Sequence, residues 1–492
     1  MNSIRFCLCS PPALIASAIV FLSNMDLQAR PHANATSTID LRRAEEQALA
    51  HSVEIRNAHL DRGLSNEALT SAWRDFLPAV SVTYRRNRTV ARRNFDNGRY
   101  SVQLNISQPV YDGGRSSFRL EESEIRRSIL RTRMKQLRND IRYKARKRYL
   151  EIQRRISTIE LRRDSLKRSA HMAEKARIQF ESGVITRIDL EEIRNRHETI
   201  QIDLKSAKRK LQEAVHNFCL LTGNNQASFP GIQLLNLQNL EVSSGHLNLD
   251  SLISRSLDSH PEIRQARKSL RLAIQKLELA RQYYLPRLAL TARYGKTGED
   301  WPPETSEWGL GFSLSFRGFN STLSNNVGIH RSEGGTSRGA SSRGTLDLFS
   351  DMGRDARILR RKKTVIQLRR RLKNLRFGIP YRAKSLLGEL RQKKKQLTLQ
   401  REITDNRKRQ FQVDAIRYEN GQLSLEEYRE EEMRMNRSVQ ELARSRTNII
   451  LFAATMEKNL GFAQGSLDLI EIEYRSHEES LKRFRSLNLE SP

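Results

Sequence analysis

Cysteine, proline and long apolar runs are scarce in this sequence of 492 residues, and each scarcity excludes a class of protein. Of its three cysteines, Cys7 and Cys9 lie in a predicted export signal, so the mature chain would keep Cys219 alone and form no internal disulfide. Twelve prolines are few enough to leave room for very long helices. No stretch after the signal reaches the ~18 apolar residues of a membrane-spanning helix, so any membrane-spanning part would consist of strands.

Acidic residues are outnumbered, with 56 Asp and Glu against 87 Lys and Arg, a formal net charge of +31. This balance suggests an anionic partner, and the main alternative reading is a basic coiled-coil protein that binds nucleic acid or serves as a scaffold.

Catalytic motifs are lacking as well: there is no Walker A loop, no H-E-x-x-H, no G-x-S-x-G and no Cys/His set with metal-ligand spacing. We therefore expect no enzyme activity, no catalytic residue, no metal site and no cofactor.

The N-terminus has the features of an export signal. Arg5 precedes the apolar run from Ala13 to Leu22, which is too short to cross a bilayer, and small residues follow near Ala35. Residues 1–35 are predicted to be a cleaved signal peptide.

The remaining chain contains two similar sequence repeats. Gly183 corresponds to Gly421 and the segment at Ile141 to that at Ile379, both at an offset of 238, whereas segments nearer the start of each copy correspond at an offset of 208. The first repeat is predicted at 36–223, a linker at 224–247, the second repeat at 248–461 and a tail at 462–492. The change of offset places an insert at 318–347, whose Gly, Ser and Asn content predicts a flexible loop.

Apolar residues at steps of three and four predict helices in both repeats. The first repeat is expected to contain helices 41–76, 114–182 and 184–222, and the second repeat helices 248–284, 353–420 and 422–460. A helix over 114–182 would be about 100 Å long at ~1.5 Å per residue. Pro380 lies within the second long helix, where we expect a kink or a break.

Alternating apolar and polar residues predict four strands, at 79–86, 100–108, 287–294 and 308–316. Each is apolar on one face, as in a membrane strand, although a half-buried sheet of a soluble α+β protein has the same pattern. Four strands cannot close a barrel, and an open sheet edge is not tolerated in lipid. A membrane sheet would therefore be shared by several copies, and three copies would give twelve strands.

Each repeat consists of a helix, a strand hairpin, a long helix, a tip turn and a return helix. This order, present twice, resembles the TolC-type outer-membrane efflux family over about residues 38–462. The motifs are Q-P-V-Y-D-G-G-R at 108–115, F-x-x-G-x-x-T-x-x-D at 180–189, Y-x-x-G-x-x-S-x-x-E at 418–427, L-T-G at 221–223 and N-L-G at 459–461. The resemblance implies a mainly α protein with a membrane β-barrel portion: a coiled-coil α-barrel of two repeats, plus four strands per subunit in a shared twelve-strand trimeric barrel.

The resemblance also implies roles for residues at the helix tips. Asp189, Tyr418, Glu427 and Glu430 fall at the positions of a periplasmic gate, and Gly183, Thr186, Gly421 and Ser424 at the tips where a periplasmic adaptor docks. In that gate Asp189 would bond to a tyrosine of the neighbouring coil, whose place Tyr418 occupies. The tip arginine of the family is replaced by Leu423, so one closing link is absent or replaced by another. Three copies of Glu427 and Glu430 near one axis would repel one another, which suggests a gate that responds to cations, although both side chains can equally be solvated carboxylates.

The function implied is that of a passive exit duct in the outer membrane of a Gram-negative-type bacterium, with its tunnel in the periplasm. Its partners would be two further copies of the chain, a periplasmic adaptor (membrane fusion) protein, an inner-membrane transporter and outer-membrane lipid, with no nucleic acid. The duct would serve a tripartite efflux pump or a type I secretion system. The sequence leaves open the cargo, and whether the positive charge lines the lumen or faces outward.

Overall fold

The computed structural model describes residues 38–89, 97–225, 229–237, 240, 248–318, 321–332, 338–471 and 473–486. The predicted signal peptide, residues 1–35, lies outside these described residues. In chain order the helices are α1 (Leu41–His51), α2 (Val53–Arg74), α3 (Arg115–Glu181), α4 (Arg187–Thr222), α5 (Leu249–Ser259), α6 (Pro261–Arg281), α7 (Arg354–Glu419), α8 (Leu425–Asn459) and α9 (His477–Arg485). The strands are β1 (Ala79–Thr89), β2 (Asn97–Tyr111), β3 (Arg287–Gly298), β4 (Thr305–Gly318), β5 (Ser321–Ser332) and β6 (Arg338–Asp347).

The helix that opens each repeat is broken at an equivalent position, where the sequence predicted one continuous helix, 41–76 and 248–284. Ser52 separates α1 from α2 in an extended conformation, and its hydroxyl accepts a hydrogen bond from the backbone N–H of Ile55 at 3.3 Å. His260 separates α5 from α6, and Pro261 follows it at the first position of α6. A residue before proline avoids the helical region, and a serine that caps a helix start has extended backbone, so both breaks have a local cause.

The two long helices, α3 and α7, have 67 and 66 residues and are each about 100 Å long at ~1.5 Å per residue. At the start of α3 the Asp112 carboxylate accepts hydrogen bonds from the backbone N–H groups of Arg115 and Ser116. A kink or a break was expected at Pro380; helix α7 continues through this residue, so the break does not occur, and the kink stays a prediction. Its neighbour Ile379 is buried against Ile263 of α6, and this packing supports the helix where proline removes a hydrogen-bond donor.

The helices lie side by side in a fixed order. In the half near the tips the order is α4, α3, α8 and α7, and in the half near the sheet it is α2, α3, α6 and α7. The two repeats therefore meet along α3, which packs against both α8 and α6. Helices α2 and α4 end this layer on one side, and α7 ends it on the other.

The main hydrophobic core lies around the middle of α3. Tyr149 and Ile156 of α3 pack with Phe218 of α4, Leu390 of α7 and Met456 of α8. The linker and the tail cover this core: Ile232 pairs with Ile39, and Leu235 pairs with Tyr474. Phe229 contacts the ring of Phe218 on one side and that of Phe484 in α9 on the other, with both centroid distances 5.7 Å. The predicted tail, 462–492, thus includes an ordered helix that packs on the core.

The sheet is antiparallel with its strands in chain order, β1 to β6. The register places Leu104 between Val82 and Tyr294, and Trp308 beside Tyr294. Apolar side chains of successive strands therefore form rows on a single face, as the alternation in the sequence requires.

Six strands, and not the predicted four, form this sheet, and the correction concerns the insert at 318–347. The insert was expected to be a flexible loop, whereas β5 and β6 form a hairpin that extends the sheet beyond β4. Ser332, the last residue of β5, lies opposite Glu307 near the start of β4, so β5 extends to the end of the sheet farthest from the helices. A count of twelve strands for three copies is therefore not compatible with this sheet, which would give eighteen.

The composition of the insert was misleading because its small residues fit a strand pairing. Gly328 of the insert lies opposite Gly311 of β4, and a Cβ added to Gly328 would lie 3.2 Å from the carbonyl oxygen of Leu310. A Cβ added to Gly311 would lie 2.6 Å from the carbonyl oxygen of Val327, so the two backbones approach closely at this glycine pair. Leu323, Val327 and Ile329 also occur at even spacing on the face that carries Phe312 and Leu310. The backbone of β5 satisfies the hydrogen-bonding groups of β4 that would otherwise be unpaired.

Candidate functional site at the helix tips and the sheet faces

The two helix tips are built alike from local sequence. Gly183 and Gly421 each have φ of +72°, a conformation that glycine adopts without strain, and each follows the last turn of a long helix. Thr186 and Ser424 then cap the return helices, accepting hydrogen bonds from the backbone N–H groups of Asp189 and Glu427 at 3.2 Å. The four predicted docking residues therefore form two exposed turns.

The carboxylates of Asp189 and Glu427 complete these turns as capping boxes. Asp189 accepts hydrogen bonds from the backbone N–H and the hydroxyl of Thr186, and Glu427 accepts the same pair from Ser424. The hydroxyl bond is the largest cause that holds the pKa of each carboxyl below its ordinary value, followed by the backbone bond. In a single chain these acids are therefore stabilised as anions, and any raised pKa in a ring of acids must come from neighbouring copies.

Tyr418, the predicted tyrosine partner of Asp189, lies in an aromatic stack. Its ring is stacked on that of Tyr428 with the centroids 4.8 Å apart and the planes inclined by 28°, and the Lys175 ammonium lies 5.6 Å from its centroid. Burial raises the pKa of Tyr418. Because the Asp189 carboxylate is bonded to Thr186 within the chain, the contact between Asp189 and Tyr418 stays a prediction.

Glu430, the second predicted gate acid, is exposed on α8 and forms an ion pair with Arg434 at 3.2 Å. It borders a shallow depression at the tip of α8 together with Glu427, Arg196 and Arg429. Basic residues thus lie beside both predicted gate acids, so the local charge of the tip is mixed.

Two ion pairs that tie the repeats together near the tips were not expected from the sequence. Arg429 of α8 contacts Glu192 of α4, and Arg168 of α3 contacts Glu432 of α8 at 2.8 Å. The side chain of Leu425 also packs against Ala176, Leu190 and Ile193 of the first repeat. The contact of Arg429 with Glu192 lies a few residues after Leu423, where the resemblance implied that one closing link is absent or replaced. The partners are more than 230 residues apart in sequence, so no local pattern could indicate them.

The sheet has one apolar face and one polar face. The apolar side chains of this face are Val80, Val82, Tyr84, Val102, Leu104, Ile106, Leu290, Ala292, Tyr294, Trp308, Leu310, Phe312, Leu314, Phe316, Leu323, Val327, Ile329 and Leu346. Many are exposed in the single chain, Val82 by 70% and Leu310 by 54%. The basic residues of the same face lie at the end far from the helices and are Arg86, Arg88, Lys296, Arg331 and Arg338. At the end far from the helices, Trp301 packs against Tyr84 and Tyr100, as in the aromatic girdles of membrane strands.

The polar face is rich in arginine. Six arginines point to this side: Arg85, Arg99, Arg287, Arg293, Arg317 and Arg343. The same face carries the acids Glu307 and Asp347. Arg293 donates a hydrogen bond to Asn105 at 3.3 Å, so these side chains belong to a continuous polar surface. In the described part of the chain, no helix is long and apolar enough to cross a membrane.

Comparison with known proteins agrees with this architecture. Residues 45–224 match the model of the family described as outer membrane efflux protein. No curated protein matches the sequence.

Several solved outer-membrane proteins are similar in fold. The Campylobacter jejuni CmeC outer membrane channel has 15% identity and a TM-score of 0.69, with 90% of this chain and 89% of that chain covered. The outer membrane protein VceC from Vibrio cholerae has 12% identity, a TM-score of 0.68 and coverage of 86% and 96%. The open state of the Neisseria gonorrhoeae MtrE outer membrane channel has 16% identity, a TM-score of 0.65 and coverage of 86% and 89%. These findings confirm the resemblance predicted from the motifs: residues 45–224 match the model of the outer membrane efflux protein family, and the described chain has the fold of TolC-like outer-membrane channels.

Proposed function

We propose that this protein is an outer-membrane channel, a passive conduit in which three copies form one ring, with the sheet in the membrane and the helices in the periplasm. The proposal is carried by one observation: the sheet and the helical layer each have two free edges, and these edges lie on the same two sides of the subunit. On one side β1 follows directly after α2, and on the other β6 leads directly into α7. A ring of identical copies joins one side of each subunit to the opposite side of the next.

The free sides of the helical layer are apolar, which supports this closure. Helix α7 exposes a stripe opposite its buried side, made of Leu359, Ile366, Phe377, Tyr381, Leu399 and Ile403. Helices α2 and α4 expose stripes opposite their own buried sides, made of Val53, Leu60 and Leu64 on α2 and Ile188, Ile202 and Leu220 on α4. Apolar stripes of this length on exposed helices are typical of helix-packing surfaces.

The mass of the protein extracted from membranes tests the ring. We expect the protein in the outer-membrane fraction and, after extraction in mild detergent, as a species of three subunits. A pair of substitutions on the stripe, Phe377→Glu and Leu399→Glu, should release smaller species, whereas the matched pair Arg376→Glu and Thr398→Glu on exposed neighbouring positions should not. A monodisperse soluble monomer in the cytosol, or one bound to nucleic acid, would reject the proposal.

The tips are proposed to dock a periplasmic adaptor protein, which connects the channel to an inner-membrane transporter of an efflux pump or a type I secretion system. Support comes from two exposed glycine turns, at Gly183 and Gly421, and from the exposed apolar side chains of Val184 and Ile188, which follow the first of them. A photo-crosslinking amino acid at position 184 should capture a periplasmic protein in cells, and the same group at exposed Thr199 in α4 should not. Equal capture at both positions would contradict docking at the tips.

The tip acids are proposed to make the entrance sensitive to cations, because three copies of Glu427 and Glu430 would gather negative charge about one axis. Since the Glu427 side chain also accepts hydrogen bonds from Ser424 at the start of α8, glutamine is the better substitution, because its amide oxygen can still accept the bond from the Ser424 N–H. Single-channel conductance of the Glu427→Gln, Glu430→Gln double variant should respond less to divalent cations than the unsubstituted channel does. Removal of two acids elsewhere, Glu198→Gln and Glu213→Gln on α4, provides the control. An unchanged cation response in the tip variant would exclude this gate.

A further inference from the structure

The edge of β4 is already occupied within the chain. Residues Glu307–Gly318 of β4 pair with Ser321–Ser332 of β5, and β5 pairs in turn with β6 from Thr322 to Arg331. Among the described strands, only β1 and β6 pair on one side alone. A second copy that joins this sheet must therefore use β1 or β6, and β4 offers it no backbone groups.

The position of β1 shows that its free edge needs a partner. Val80, Val82 and Tyr84 of β1 continue the apolar rows of β2 to β4 and are each more than half exposed. If these rows lie in hydrocarbon, as the proposed function requires, the unpaired N–H and C=O groups of β1 have no water to bind and must bond to another strand.

The edge of β6 fits β1 in direction and length. Neighbouring strands alternate in direction through the sheet, so the sixth strand is antiparallel to the first, and a head-to-tail neighbour keeps every pair antiparallel. Strand β1 has 11 residues and β6 has 10. On the face that continues the apolar rows, β6 carries Ala340, Ser342 and Gly344, small side chains that leave space for a facing strand.

We propose that β6 of one copy pairs antiparallel with β1 of a second copy, so that each subunit supplies six strands to the shared wall. This inference rests on the proposed function, because the second copy is the neighbour in that ring. A ring of three copies then has eighteen strands. Because the diameter of a barrel grows roughly linearly with strand number, the membrane pore is about one and a half times as wide as with four strands per copy.

Paired cysteines distinguish this seam from one at β4. In a Cys219→Ala background, Ser342→Cys on β6 is combined in turn with Val80→Cys, Val82→Cys and Tyr84→Cys, because all four side chains are on the same face. The matched series replaces Ser342→Cys by Leu314→Cys on β4. The three β1 positions sample different registers, since facing Cβ atoms of neighbouring strands lie within disulfide range only when they are directly opposite. Ala340→Cys and Gly344→Cys extend the sampling on β6.

After mild oxidation, we expect covalent dimers and trimers on a non-reducing denaturing gel for at least one β6–β1 pair, and none for the β4–β1 pairs. Crosslinks from β4 to β1, an intact ring of three copies with no β6–β1 crosslink at any sampled pair, or an intrachain crosslink in a monomer would each overturn the proposal. The mass of each variant in detergent separates the two levels of inference. A three-copy species crosslinked through β4 rejects only the seam, whereas a monomer rejects the proposed function as well.

Discussion

His260 holds the junction of α5 and α6 through both nitrogens of its ring. Nδ1 accepts a hydrogen bond from the backbone N–H of Glu262 at 3.2 Å, which assigns the ring proton to Nε2, the atom that lies 3.3 Å from the carbonyl oxygen of Asn459. The ring is buried, and burial is the main cause that lowers its pKa. Protonation of Nδ1 would remove the acceptor that caps α6.

We predict that acid loosens the start of α6. Because the pKa of His260 is lower in the folded chain than its unfolded value of about 6.5, the stability it supplies is complete above that value and is lost as pH falls through the folded pKa. Loss of a cap costs about 1 kcal/mol, so hydrogen-exchange protection of residues 262–265 should fall about fivefold between pH 7.5 and 5, after correction for intrinsic exchange. The variant His260→Asn keeps a cap that does not titrate and should show no such fall. Substitution of exposed His59→Asn should leave the fall unchanged, and a loss of the pH effect in that control would contradict the assignment.

Residues of the tips differ in how readily the sequence indicates their contacts. Thr186 and Asp189 are three residues apart, as are Ser424 and Glu427, so the caps follow from a local pattern. The pairing of Arg429 with Glu192 depends on how α8 and α4 lie beside each other, and neither residue is unusual in its own segment. The caps of the two turns therefore follow from the motif spacing, and the gate and docking roles of these residues stay predictions, whereas the cross-repeat contacts required the structure.

At the scale of elements, α7 tolerates a proline that its counterpart α3 lacks. Pro380 corresponds to Arg142 in the first repeat and lies on a segment held by Ile379 against α6. The helix remains continuous there, although one backbone hydrogen bond is missing. Packing of the two helices thus outweighs a residue that isolated helices disfavour.

Replacement of this proline should strengthen α7. We expect Pro380→Ala to raise the free energy of unfolding by about 1–3 kcal/mol, because alanine restores a donor and suits a helix interior. Urea denaturation of the detergent-extracted protein, followed by helical circular dichroism, measures the change. Gly378→Ala is the matched control, since a Cβ there meets no atom within 4 Å, and it should stabilise by about 0.5–1 kcal/mol. If Pro380→Ala destabilises while Gly378→Ala does not, the contact with α6 requires a bend that only proline supplies.

At the scale of the whole molecule, positive charge is concentrated in particular places. Helix α7 alone has twenty-two Lys and Arg against six Asp and Glu. The polar face of the sheet adds Arg85, Arg99, Arg287, Arg293, Arg317 and Arg343. With the apolar face toward lipid, these six arginines point into the pore of the proposed ring. A pore lined in this way attracts anions.

We therefore predict that the channel conducts anions in preference to cations. The reversal potential in asymmetric KCl should indicate a preference for chloride, and Arg293→Gln with Arg343→Gln should lower that preference by about twofold or more. The effect should shrink at high salt, where charges are screened. Arg86 lies on the opposite face of the sheet, over the ring of Tyr100, so Arg86→Gln is the control and should change little. Preference for potassium in the unsubstituted channel would contradict the prediction.

By itself, the sequence determined the features that depend on near neighbours along the chain: the two repeats, the long helices from their apolar spacing, the first four strands from their alternation, and the tip turns from glycine and capping residues. Only the tertiary structure decided that α7 continues past Pro380 and that β5 and β6 extend the sheet. The physical reason is that a segment rich in Gly, Ser and Asn has no intrinsic preference strong enough to define a strand. It becomes a strand when a neighbouring edge, here β4, supplies partners for its backbone hydrogen-bonding groups.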